Sequence, residues 1–227
     1  MPIAECKLCL QMRELKDSHL MPAALYRKSR WEGAGNPNPM LLSERGMIQT
    51  SRQIKDFVLC GGCEERFNKG GERYAMSLVS HRGKFPLLEE ILAVRPPKVT
   101  SAFSWYDQTA LPNINRETLA YFALSVFWRA SAHTWSMPYG TSPQIRLGPY
   151  QEPLRTYLLG LAPYPENLIL MLIVCTDSAS QNTFFVPTRS GRDVNTTHMF
   201  QARGMSFMMT AGKRITDALR TLCCVKG

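Results

Sequence analysis

CKLCLQMRELKDSHLMP (6–22) sets two cysteines three positions apart and places a histidine, His19, ten residues beyond the second. Three roles are open to that histidine: a zinc ligand, a catalytic base, or a polar residue at the edge of a small core. The choice turns on what else in the chain binds the metal. The answering stretch is Cys60-Gly-Gly-Cys63. With Cys6 and Cys9 it supplies four thiolates, the closed tetrahedral set that zinc takes in structural sites. Gly61 and Gly62 allow backbone amides to turn toward the sulfurs. A redox Cys-x-x-Cys and an iron–sulfur cluster are the alternatives, and the flanking sequence supports neither. Fifty residues separate the pairs, more than a compact zinc ribbon spans, so the intervening segment is expected to carry structure of its own. With four cysteines on the metal, zinc has no need of His19.

Outward from these pairs, composition bounds the rest. The 227 residues, 44% hydrophobic and 20% charged, suffice for a core without staples. The longest apolar run, LILMLIVC (168–175), is too short to cross a bilayer and reads as a buried strand. No basic stretch followed by an apolar segment opens the chain, so a cytoplasmic location is expected, where thiols stay reduced. Seven cysteines in that setting argue for metal binding over disulfides. Cys175, Cys223 and Cys224 lie in apolar contexts and read as core. The net charge of +9 is spread, +3 over residues 1–80 and +6 over 81–227. That suits a polyanion met by a folded surface, and equally a solubility charge with no partner.

A loop, EGAGNPNPM (32–40), separates the two halves of the cysteine motif, and RPPK (95–98) marks a boundary where two prolines forbid a continuous helix. A helix is expected from Asn115, its cap, to the residues before SMPYG (136–140), with apolar residues at 119, 122, 123, 126, 127 and 130 on one face and Glu117 in its first turn. On that face Trp128 reads as core and Arg129 as surface. A second helix is expected at 152–159, closed by Gly160. The period then changes to that of strands: 168–175, 183–187, and one or two over 198–210 broken at Gly204, before a short helix from Thr216.

Cys-x2-Cys, then Ser-His-hydrophobic-x-Pro, then a second Cys-x2-Cys leading into a helix resembles the zinc-stabilised HNH nucleases. More narrowly, SHLMP…FVLCGGCEERFNKGGE with the later FALSVFWRAS and LRTYLLG is similar to a poorly characterised bacterial group labelled HNH-like. The motifs cover residues 1–80. The resemblance implies an α+β chain: an N-terminal treble-clef (ββα-metal) zinc domain at 1–80, then a domain of helices and antiparallel strands at 98–227. It also implies phosphodiester hydrolysis, with His19 as general base and a divalent cation, Mg²⁺ or Mn²⁺, at the leaving oxygen.

Three positions depart from the family pattern. Ser18 stands where Asp or His binds the cation, Lys55 or Asp56 where a central Asn is expected, and Glu64 where the last His follows the second pair. Glu64 is a hard oxygen ligand suited to Mg²⁺ or Mn²⁺. Glu72, eight residues on, is offset by about 80° after two turns and shares its side only loosely. Glycines at 70 and 71 can break the helix between them. Asp17 shares a face with His19 if this stretch is a strand. The candidate site is thus His19, Glu64 and Glu72, beside zinc on Cys6, Cys9, Cys60 and Cys63. Two functions are expected: a metal-dependent HNH-like endonuclease acting on nucleic acid, or a catalytically degenerate zinc module that binds nucleic acid or a protein partner. No membrane association is expected.

Overall fold

The computed structural model describes residues 1–30, 33–43, 46–96, 98–100, 102–106, 111–136, 145–190, 196–220 and 223. Two short strands, β1 (Ile3–Glu5) and β2 (Met12–His19), are joined by the turn that carries Cys6 and Cys9. Helix α1 (Ala23–Lys28) follows Pro22, and β3 (Met40–Ser43) and β4 (Gly46–Gln49) form an exposed hairpin. The long insert between the cysteine pairs therefore has its own structure, as its length required. Strand β5 (Lys55–Cys60) returns antiparallel to β2, completing a three-stranded sheet of order β1-β2-β5. Its last residue, Cys60, opens α2 (Gly61–Phe67).

The glycines at 70 and 71 do not break this helix. It passes through a π turn at Asn68–Glu72 into α3 (Arg73–Leu78). Both glycines are needed because the next long helix lies against them: a Cβ on Gly71 would sit 2.7 Å from the Phe122 amide nitrogen, and one on Gly70 2.6 Å from the Tyr121 ring.

After α4 (Pro86–Leu92) and a two-residue pairing of β6 (Lys98–Val99) with β7 (Ser104–Trp105) comes α5 (Arg116–Ala132). Its cap is the expected one: the Asn115 side chain accepts from the Thr118 amide at 3.0 Å. Its burial is not the expected single face, since every residue from Leu119 to Ser131 except Tyr121 is buried. One side meets Phe67 through Trp128, ring centroids 6.1 Å apart. The other meets a second sheet through Phe122 and Phe127.

Helix α6 (Gln151–Leu158), ending before Gly160 at φ 72°, leads to that second sheet. Its strands are β8 (Leu168–Val174), β9 (Phe184–Ser190, after the short α7, Ser178–Asn182), β10 (Thr196–Ala202) and β11 (Met205–Ala211). They lie antiparallel in the order β8-β11-β10-β9. Gly204 does break 198–210 into two strands, in the two-residue reversal Arg203-Gly204. The buried half of LILMLIVC is 168–170; its far half is partly exposed. Helix α8 begins at Asp217, and Cys224 lies outside the described residues.

The architecture is mixed α+β with antiparallel sheets. One contiguous buried cluster runs from Cys6 and Phe67 through α5 to Phe207 and Met209. Among the described residues no helix is long and apolar enough to cross a membrane.

Candidate metal centre and histidine site

The β1–β2 turn is a tight knuckle. Leu10 donates its amide to the Cys6 carbonyl at 2.8 Å and adopts φ 59°, and Cys6 donates to Gln11 O at 3.0 Å. The knuckle is pinned to β5 by Lys7 N–H to Val58 O, which brings it over the start of α2. There the Cys60 amide donates to Cys6 Sγ at 3.3 Å. From the other end of the chain, Arg155 of α6 donates to Leu8 O at 2.6 Å while held by Glu152.

The outcome is four sulfurs, of Cys6, Cys9, Cys60 and Cys63, all within 4.8 Å of one another. Cys9 and Cys60 Sγ are 3.9 Å apart. Tetrahedral zinc with bonds of about 2.3 Å spaces its sulfurs by about 3.8 Å, so the set is able to hold a metal ion such as zinc. A hydrogen bond from the Cys63 thiol holds Cys6 at about 4, while that thiolate pushes Cys63 far up and burial raises Cys9. Four thiols this close ionise together only around a cation. Among the described residues this is the one group of three or more Cys, His, Asp or Glu that converges as ligands do.

His19 ends β2, paired in register with Lys55, and is not drawn into the cysteine set. Its Nε2 lies 2.6 Å from Gln53 Oε1. A carboxamide oxygen only accepts, so Nε2 carries the proton and Nδ1 keeps its lone pair in the neutral ring. Gln53 was invisible to motif reading: it lies ahead of β5, and only the β2–β5 pairing brings it to the histidine. The Tyr26 ring stands 6.1 Å from the His19 ring, its buried hydroxyl accepting from the Ile54 amide and pushed up to about 12 by burial.

Glu64 and Glu72 reach the same side. A π turn takes up one extra residue, so eight residues advance about as far as seven α-helical steps, roughly 700°, within about 20° of two full turns. Glu64 is half-buried, and burial raises its pKa; the Ser18 hydroxyl, Arg129 and His19 oppose the rise, and the Glu72 charge adds to it. Its Oε1 is buried with no hydrogen-bond donor among the described residues. Glu72 instead forms an ion pair with Arg129, Nη2 to Oε1 at 2.6 Å.

Arg129 corrects the sequence expectation. It is 1% exposed, not a surface residue, and its Nη1 donates to His19 O at 2.9 Å while its guanidinium lies 5.3 Å over the Phe67 ring. An apolar helical face gave no sign of it, because the face opposite is covered too.

Of the remaining candidates, Ser18 is fully buried; its oxygen accepts from the Leu59 amide at 3.0 Å, while its hydroxyl is a hydrogen-bond partner of Glu64 and so stays at the site. Asp17 pairs with Lys55 on the exposed side. Asp56 lies 2.9 Å from His133 Nε2, a hydrogen bond that lowers its pKa. Compared with known proteins, the chain matches no family model, no curated protein and no solved structure.

Proposed function

We propose that this chain is a metal-dependent nuclease of the HNH type that hydrolyses nucleic-acid phosphodiester bonds beside a structural zinc. The observation that carries the reading is the His19–Gln53 pair at the end of β2, within electrostatic reach of the Glu64 carboxylate. Knuckle, hairpin and helix start, with a cysteine pair on the first and last, are read as a treble clef holding zinc on Cys6, Cys9, Cys60 and Cys63. In the reaction, His19 Nδ1 takes a proton from water as the hydroxyl attacks phosphorus and the P–O bond to the leaving sugar oxygen breaks. Gln53 supplies what the missing central Asn leaves vacant: it holds the imidazole in the tautomer that can accept that proton. Glu64, a largely buried carboxylate whose pKa burial raises, suits a divalent cation, Mg²⁺ or Mn²⁺, which when bound would neutralise charge at the leaving oxygen. Glu72, tied to Arg129, positions the site.

A second reading, a degenerate zinc module that binds nucleic acid or protein without cutting it, is favoured by one fact. Asp56, at one of the family's functional positions, is spent on His133. Incubation with plasmid, linear DNA and RNA under Mg²⁺ and Mn²⁺ separates the two. His19→Ala should lower cleavage by about 10²–10⁴-fold with zinc content unchanged, and Gln53→Ala by less. Glu64→Gln should weaken the response to added cation more than binding. No cleavage by the wild type selects the second reading. Cleavage by His19→Ala at the wild-type rate removes the histidine from the mechanism.

A further inference from the structure

Among the described residues three phenylalanine or tryptophan side chains are exposed, and two of them sit together on the β6–β7 ribbon: Phe103 at 55% and Trp105 at 39%. Such rings contribute most to a fold when they are covered, as Trp128 and Trp135 are. Neither Phe103 nor Trp105 belongs to the buried cluster. A ribbon of two residue pairs gains little stability of its own, so rings held in solvent there point to a use outside the fold.

The tip of the ribbon is clamped. The Thr100 amide and hydroxyl both donate to Phe103 O, at 2.8 and 3.1 Å, and the Phe103 amide donates back to Thr100 Oγ1 at 3.0 Å. Lys98 pairs in register with Trp105, and residues directly opposite one another share a face. Phe103 lies two positions before Trp105, and the ring centroids are 6.1 Å apart with their planes tilted by 50°. One face of the ribbon therefore carries two rings and an ammonium, while Val99 and Ser104 take the other.

Charge narrows the ligand. Residues 91–106 hold two cations, Arg95 and Lys98, and no Asp or Glu, for a net charge of +2. Both cations are exposed, and among the described residues no carboxylate forms an ion pair with either. An apolar protein surface would cover the rings but leave Lys98 desolvated without a partner. A nucleotide offers both complements at once, a flat π face for each ring and a phosphate for the ammonium. A duplex hides its base faces in the stack; a single strand presents them.

We propose that the β6–β7 ribbon is a binding platform for single-stranded nucleic acid, with bases stacked on Phe103 and Trp105 and the neighbouring phosphate on Lys98. That the bound strand is a substrate rests on the nuclease reading; the binding itself does not.

The test is fluorescence anisotropy of the full chain with labelled single-stranded DNA, RNA and an abasic oligonucleotide of equal length. Duplex DNA is the competitor, and no Mg²⁺ or Mn²⁺ is added. Phe103→Leu and Trp105→Leu keep an apolar side chain and remove the π face; Trp105→Phe keeps the face. Each leucine variant should bind single strands about 5–150-fold more weakly, the loss expected for one stacked base, while Trp105→Phe retains most of the affinity. Lys98→Ala should shrink the slope of log affinity against log salt by about 0.7. Lys213→Ala, at an exposed cation elsewhere, should leave affinity and slope unchanged. Thermal melting should match the wild type throughout, since the ribbon lies outside the buried cluster. Leucine variants that bind as the wild type does overturn the platform, as does equal binding of the abasic oligonucleotide or equal competition by duplex. A loss in Lys213→Ala as large as in Lys98→Ala marks diffuse surface charge and overturns the phosphate contact. A wild type that binds no oligonucleotide overturns the proposal outright; if it sediments as a dimer that Trp105→Leu dissolves, the ribbon is a protein interface. Ring-dependent binding in a protein that cuts nothing retains the platform and removes the nuclease. Cleavage with ring-independent binding does the reverse.

Discussion

Arg129 concentrates much of what individual residues decide here. Its buried guanidinium satisfies the Glu72 carboxylate, the last carbonyl of β2 and the Phe67 ring together. Removing one member of a buried ion pair leaves its partner charged and unpaired, at a cost of about 3–5 kcal/mol, whereas replacing both is often neutral. Arg129→Met should therefore lower stability by about that amount in urea unfolding, and the double variant Arg129→Met/Glu72→Gln should recover much of it. Additive losses would show that the pair is not coupled. His198 makes a different prediction. It is buried in β10, and burial, with the Arg189 charge second, holds it at about 4, below its unfolded value near 6.5. The neutral ring's contribution is full above about 6.5 and is lost as pH falls toward 4, by as much as ~3 kcal/mol. His198→Leu should flatten the stability profile in that window relative to wild type; parallel profiles would mean the ring does not titrate there.

At the level of elements, the π turn at 68–72 sets the geometry of the site. It brings Glu72 round to Arg129, and Gly71 lets α5 approach to backbone contact. A methyl on Gly71 would meet the Phe122 amide and the Thr118 carbonyl at 2.7 and 2.8 Å, atoms of a helix backbone that cannot swing aside. Gly71→Ala should then cost about 1–3 kcal/mol or more, despite alanine's better helix propensity. A stabilised Gly71→Ala in thermal melting would contradict the close packing. The start of α5, by contrast, was legible from Asn115 alone, because a cap is a bond between residues three apart.

Across the whole molecule, α5 is shared by both parts of the chain, and the buried cluster is continuous through it. Arg155 and Arg66 add links, to Leu8 O across to the knuckle and to Leu159 O from α2. A chain built this way should unfold in one cooperative transition. Cys60→Ser, or removal of metal by a chelator, should destabilise the 168–211 sheet along with the knuckle, since metal binding is coupled to folding. Calorimetry checks this: two separate transitions, the later one insensitive to metal, would mean that the halves fold independently.

The sequence by itself determined the four-cysteine set, the mixed α+β class, the Asn115-capped helix and the strand break at Gly204. Each is written in spacings, periods or caps that act over a few residues, or in a ligand chemistry that tolerates distance. Only the tertiary structure decided that Gln53 meets His19 from 34 residues away and that Arg129 reaches the His19 carbonyl across 110. Motif and period carry no trace of such meetings. They arise when a sheet register, an inserted π turn and a helix buried on all sides fix where distant side chains end, and burial then forces polar groups to find one another.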